Sequence, residues 1–478
     1  MKKTLLFIAA AIISAAASAK VSLPHILSDN MVLQQKTNAA LWGTAKAGTK
    51  VTITPSWSGE AVTVKAGRDG KWSTTVSTPE AGGPYTIEFN DGEALTLKNV
   101  FSGEVWFCSG QSNMSMRLTG NPGQPIKDNE KYIMSAKPSV PIRIFSIPRK
   151  TSFAPEADCN GSWKVNSPEN AASSYAIAYL FAREIQETID VPVGIICSAW
   201  GGSAIEAWLN KETLLEKFPA KNIAHLTSGV EPKDKYPRAG AMLFNGMVAP
   251  AAPFTFKGIV WYQGEANRSN HNEYAALQTA YVEMMRKVFN VPEAYFYCVQ
   301  IAPYNYNGAE KTLSGYLQEA QLKSVLSMKN AGIATTVDVG EPKCIHPSAK
   351  VAVSHRLAML ALTECYGMKG IVAKAPVYTS MKVENGNAIL SFNTYGSAIC
   401  SRDLPLEGFE AAGADKVFHK AEARVNGKNT SEVIVKCKEV PEIVAVRYCF
   451  HNYAPGFVTN NFGVPLGPFR TDDWPCED

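Results

Sequence analysis

Hydrophobic and polar positions change rhythm twice along the chain. From residue 20 to about 100 the apolar residues fall in short runs, at 51–54, 61–64, 72–76 and 85–89, rich in β-branched and aromatic side chains. Asp69-Gly70 and Asp91-Gly92 punctuate them as turns. That pattern predicts a small β-sandwich. Near Phe101 the runs become nearly continuous: 105–108, 193–199, 258–262, 295–301 and 332–337. Strands buried on both faces of a parallel sheet read this way. Between them lie segments with helical spacing. Ile177, Leu180, Phe181 and Ile185 share one face, as do Leu277, Tyr281, Met284, Met285 and Val288. Strands alternating with helices predict an α/β layer with right-handed crossovers, whose ligands sit beyond the carboxyl ends of the strands. From about residue 370 the β pattern returns, with hairpin signals at Asn385-Gly386 and Asn426-Gly427 and strands at 433–435 and 444–450. No internal repeat or low-complexity tract interrupts it.

The chain has 478 residues, more than one core usually serves. The expected division is a signal peptide at 1–19, a β-sandwich-like domain at 20–100, an α/β domain at 101–368 and a β-rich region at 369–478. Hydrophobic residues are 46% of the chain and charged residues 19%, as in a packed globular protein. The net charge is +4, with two of those charges on Lys2 and Lys3. So weak a charge gives no electrostatic case for nucleic acid or an anionic membrane surface. Lys2-Lys3, the apolar stretch 5–13 and Ala17-Ser18-Ala19 form a leader with small residues at its cleavage point. Cleavage is expected after Ala19, and export to the periplasm or medium follows. The next residue is Lys20, not a cysteine for lipid attachment, and no later stretch is apolar and long enough to span a bilayer. No membrane anchor is therefore expected. Ten cysteines are present without a C-x-x-C pair, which argues against zinc or redox sites. Cys197 and Cys298 lie in apolar runs and read as buried hydrophobes. Export would permit some of the ten to oxidise.

Four polar loops follow predicted buried strands. Cys108-Ser109-Gly110-Gln111-Ser112-Asn113-Met114 exposes a serine at a strand end, although it is not a G-x-S-x-G elbow. Ser198-Ala199-Trp200-Gly201-Gly202-Ser203 offers paired glycines that let backbone approach a ligand. Trp261-Tyr262-Gln263-Gly264-Glu265-Ala266-Asn267 gathers two amides and a carboxylate. Cys344-Ile345-His346-Pro347 places a histidine just before a helix that Pro347 starts. Each alone reads as an ordinary loop. Together they predict an acyl transfer. His346 takes the Ser112 proton and Ser112 attacks an acetyl carbonyl. The N–H groups of Ser112 and Gly202, with the Gln263 side chain, hold the oxyanion, each donor being worth roughly 3–4 kcal/mol of barrier. That scheme requires no metal or cofactor.

These blocks, with Asn245-Gly246-Met247, the start at Leu27-Ser28-Asp29-Asn30-Met31-Val32-Leu33 and the tail around Pro468-Phe469-Arg470-Thr471-Asp472, resemble the sialate O-acetylesterase group of the SGNH hydrolase superfamily over nearly all of residues 20–478. The resemblance implies a flavodoxin-like SGNH hydrolase domain flanked by β-rich regions. It also implies esterase action on O-acetylated sugars. One departure stands out. SGNH enzymes usually carry an aspartate two or three residues before the histidine, where this chain has Cys344 and Lys343. Glu265 is then the expected group orienting His346, with Asp338, Glu341 or a Ser–His dyad as alternatives. Asn113, Arg117, Asn267 and Arg268 are expected to meet substrate, an arginine being suited to a sialic acid carboxylate. Other readings are a plant-polysaccharide esterase, for example on acetylated xylan, and a catalytically impaired sugar-binding protein. Nothing points to a protein partner.

Overall fold

The computed structural model describes residues 20–221, 223–228, 237–401 and 405–476; the leader expected at 1–19 lies outside them. The central sheet is built from β1 (Ala94–Gly110), β2 (Ile142–Ser146), β3 (Trp163–Val165), β4 (Val193–Ala199), β5 (Gly258–Tyr262), β6 (Tyr295–Val299) and β7 (Ala331–Ala334). Their order is β7-β6-β5-β1-β4-β2-β3. All pairs are parallel except β2–β3. Every residue of β4 and β5 is buried, which is why these strands carry no polar alternation. Their side chains still alternate between two cores. Trp106, Cys108, Val260 and Tyr262 pack on one face with α2 (Ala176–Ile189) and α5 (Lys350–Leu360). Phe107, Ile259 and Trp261 pack on the other with α3 (His271–Val288) and α4 (Leu313–Leu326). The expected α/β class is the observed one. β1 lies between β4 and β5, so the chain departs from it to both sides, and a crevice opens at its carboxyl end.

At the amino-terminal side, Asn38–Thr44 pairs Lys71–Ser77, while Lys50–Pro55 pairs both Val62–Lys65 and Gly82–Asn90. Asp69-Gly70 links strands of the two different sheets, and Gly70 takes a left-handed φ of 78°. Asp91-Gly92 turns the hairpin from Gly82–Asn90 into β1. β1 then runs on, 17 residues long, antiparallel to Gly82–Asn90 at its start and parallel to β4 and β5 at its end. The boundary expected at 100/101 therefore falls inside a continuous strand rather than in a linker.

The carboxyl-terminal region holds two four-stranded antiparallel sheets around a shared core that includes Leu390, Val433, Val446 and Phe469. Asn385 and Gly386 both take positive φ, 51° and 72°, as a two-residue hairpin turn demands. All ten cysteines are unpaired. No helix among the described residues is long and apolar enough to cross a membrane.

Candidate active site

Register brings three of the four polar loops together. Gly110, at the end of β1, is opposite Tyr262 of β5 and Ala199 of β4. The chain then turns sharply. Gln111 donates its N–H to Tyr262 O (2.9 Å) and Trp200 donates to Gly110 O (3.0 Å). Gly110 has φ 142°, and a Cβ there would fall 2.1 Å from Tyr262 O. Only glycine admits this turn and this approach of two strands. It delivers Ser112, partly exposed, as the first residue of α1 (Ser112–Ser115). There a backbone N–H has no acceptor within the helix. Gly201 lies against Ser112, since a Cβ on it would stand 3.3 Å from Ser112 Cβ. Gly202 adopts φ 73°, and among the described residues no acceptor takes its N–H. The glycine pair thus lies beside the turn that carries Ser112.

The fourth loop, after β7, carries His346. Its Nδ1 lies 3.0 Å from Gln124 Oε1. Asn121 donates its Nδ2 to the same oxygen at 3.2 Å, which fixes that oxygen as the acceptor and makes Nδ1 the imidazole donor. Among the described residues Nε2 makes no hydrogen bond. Burial, and secondarily the Lys350 charge, hold the His346 pKa below its ordinary value. Glu341 accepts from the Ser348 N–H and hydroxyl, both at 2.8 Å, and so braces the loop from within. Asp338 is gripped by Arg356 at 2.8 and 2.5 Å. Neither carboxylate offered as an alternative pairs with the imidazole.

The expected pairing of Glu265 with His346 is corrected. Glu265 Oε1 instead accepts from Asn113 Nδ2 at 2.6 Å, and Asn113 Nδ2 also donates to Ile345 O at 3.0 Å. Glu265 thus acts one residue away from the histidine, through an amide, and Gln124 occupies the orienting place. Burial raises the Glu265 pKa. The expected oxyanion role of the Gln263 side chain also fails. Its two Nε2 hydrogens go to Ser203 O (3.0 Å) and Asn267 Oδ1 (2.7 Å), and its Oε1 accepts from the Tyr274 hydroxyl (2.7 Å). A fully committed amide has no donor left for a developing charge. Asn113 and Asn267 are not substrate contacts either. Both are buried. Asn267 accepts from Ile205 N–H and donates to Glu206, so it ties the glycine block to the third loop.

Arg117 is exposed and bridges by backbone to Tyr175 near α1. Arg268 lies over the Tyr306 ring, 3.4 Å from its centroid, and is half-buried. Three contributors escape sequence reasoning. Gln124 sits in a Gly-Asn-Pro-Gly-Gln-Pro loop that announces only a turn. Gln111 accepts from the Gly264 and Ala266 N–H groups at 3.3 and 3.4 Å. Lys350 donates to Asn113 Oδ1, and its spacing four residues after His346 was the available signal. Among the described residues no group of three His, Cys, Asp or Glu side chains is arranged to hold a metal ion.

Comparison with known proteins agrees with this geometry. Residues 102–363 match the family described as carbohydrate esterase, sialic acid-specific acetylesterase. The chain is 27% identical to sialate O-acetylesterase of Rattus norvegicus, covering 89% of this chain and 88% of that protein. It is also 27% identical to the Homo sapiens sialate O-acetylesterase over 77% of this chain and 76% of that one. Among solved structures, a carbohydrate acetylesterase from Xanthomonas citri superposes with a TM-score of 0.85 at 33% identity, covering 95% of this chain and all of that one.

Proposed function

Because the chain belongs to the sialic acid-specific acetylesterase family of carbohydrate esterases, we propose that it hydrolyses O-acetyl esters of sialic acids through an acetyl-enzyme on Ser112. The observation that carries the mechanism is the convergence of Ser112, the Gly201-Gly202 backbone and the β5 loop at one end of the sheet, beside a histidine whose Nδ1 is already engaged.

Ser112 Oγ bonds to the acetyl carbonyl carbon while its proton passes to His346 Nε2. The carbonyl oxygen takes the negative charge between the N–H groups of Ser112 and Gly202. The tetrahedral adduct collapses, the C–O bond to the sugar breaks, and the imidazolium returns its proton to the sugar oxygen. Water repeats the sequence on the acetyl-serine and releases acetate. Gln124 supplies orientation without charge. Unlike an aspartate, it does not stabilise the imidazolium, so His346 stays a weaker base that is neutral over a wider range of pH.

Sialic acid as the sugar is supported by the family description and by relatives 27% identical that are sialate O-acetylesterases. Acetate release from O-acetylated sialic acid and from acetylated xylan, measured side by side, tests it. Release from sialic acid in clear excess is expected. Release from xylan alone would retain the esterase and overturn the substrate. Export is part of the same proposal, supported by the basic, apolar and small-residue order of positions 2–19.

A further inference from the structure

We infer that Lys350 is a positioning residue of the esterase reaction, its ammonium group locking the Ser112 turn to the His346 loop through the side chain of Asn113, with Glu265 as countercharge. The inference rests on the serine–histidine reading above.

Lys350 is the one fully buried lysine among the described residues. A buried ammonium is costly and persists where something compensates it. Here the compensation is a relay. Lys350 Nζ donates to Asn113 Oδ1 at 2.5 Å. The Asn113 amide then donates both to Glu265 Oε1 and to the backbone carbonyl of Ile345. One side chain of α1 is thereby tied to three elements: the start of α5, the loop after β5, and the residue preceding His346. Asn113 is adjacent to the nucleophile, so the same amide holds both reacting loops.

The amide can face only one way, because Glu265 Oε1 and Ile345 O both accept and take its Nδ2 hydrogens. Its Oδ1 is left buried against the start of α5, and the Lys350 ammonium is the donor that satisfies it. With the ammonium in place that orientation satisfies every group of the amide. The other groups facing Lys350 are Tyr262, whose ring centroid is 5.5 Å from Nζ, and Glu341, Cys344 and His346 of the histidine loop. Glu265 Oε2 has no hydrogen-bond partner among the described residues, and its charge is balanced by Lys350 across the amide and by Arg268. Burial brings the Lys350 pKa down to about 7, and the residual positive charge depresses His346.

The charge and the hydrogen bond are separable by substitution. The assay is hydrolysis of 4-nitrophenyl acetate across pH by the whole protein, with folding checked by circular dichroism and Ser112→Ala as control. Lys350→Met removes both contributions. Its kcat should fall about 100-fold with KM nearly unchanged, as expected for a misplacement of reacting groups. The acid limb of kcat/KM should move to higher pH, because His346 loses a neighbouring cation. Lys350→Gln keeps a donor without charge, so part of kcat should return while the limb stays displaced. Lys350→Arg keeps the charge, and its limb should stay near that of the native protein. Should the Met variant fail to fold, the Gln and Arg pair still separates the two contributions. A folded Met or Gln variant with native kcat and an unmoved acid limb overturns the inference. Activity surviving in Ser112→Ala would instead overturn the mechanism on which it rests.

Discussion

The histidine of this site is oriented by a neutral amide, and that choice has a measurable consequence. A carboxylate on Nδ1 would stabilise the imidazolium and raise the pKa of His346; Gln124 does not, while burial and Lys350 lower it. Activity requires the neutral imidazole, so the native acid limb of kcat/KM should lie below the ordinary histidine value of about 6.5. Gln124→Glu should move that limb to higher pH, and Gln124→Ala should reduce kcat without moving it upward. A pH–rate profile distinguishes them, and an unmoved limb in the Glu variant would remove Gln124 from the site. At this scale the sequence was partly legible. Ser112 and Gly202 draw notice because each stands a few residues past an apolar run, and His346 because it precedes Pro347 at an expected helix start. The partners of His346 and Glu265 were not, because Gln124 lies 222 positions from His346 and Asn113 lies 152 from Glu265. Gln263 was misread for a related reason. The sequence places an amide at a strand end but cannot show Tyr274, Ser203 and Asn267 already holding it.

Among the elements, the contact of β1 with β5 sets the site. A Cβ on Gly110 would collide with the Tyr262 backbone, and the turn that carries Ser112 depends on both its positive φ and its missing side chain. Gly110→Ala combines a backbone clash with backbone strain and should cost about 3–5 kcal/mol. Thermal unfolding should show a lowered Tm, and an unchanged Tm would mean that the turn is not as constrained as described. The strands themselves were legible almost to the residue at 193–199 and 258–262, because a strand buried on both faces must be apolar throughout. The length of β1 was not. Only 105–108 reads as an apolar run; Ser102, Gly103 and Glu104 interrupt the pattern before it, while the backbone continues through them as one strand that is buried throughout its second half.

In the whole molecule, the tail joins the β-rich region to the α/β layer. Arg447 grips Asp472 at 2.9 and 2.8 Å, Arg470 reaches both Asp472 and Glu319 of α4, and Thr335 donates its hydroxyl to Pro465 O at 2.8 Å. Phe469 stacks on Tyr378 at 5.1 Å. The Asp472 side chain is 1% exposed. Burial opposes its ionisation, but the Arg447 hydrogen bonds and charge outweigh that and hold its pKa below the ordinary value. The sign of the pH effect follows. A depressed carboxyl pKa contributes stability above the unfolded value of about 3.9, lost as pH falls through the folded one. Asp472→Asn leaves Arg447 buried without its countercharge and should cost about 3–5 kcal/mol at neutral pH. Denaturant unfolding at neutral and acid pH checks this; a variant as stable as the native protein at neutral pH would contradict it. The Pro-Phe-Arg-Thr-Asp block near the end stands out in the sequence, and in the structure it acts as a clamp.

Whether Ser112 carries the acetyl group is decided by intact-mass measurement after brief mixing with a fluorophosphonate, beside acetate release from O-acetylated sialic acid. One adduct is expected, located on Ser112, with a loss of acetate release of at least about 10⁴-fold in a folded Ser112→Ala protein. An adduct elsewhere, or acetate release that survives the substitution, would contradict that role.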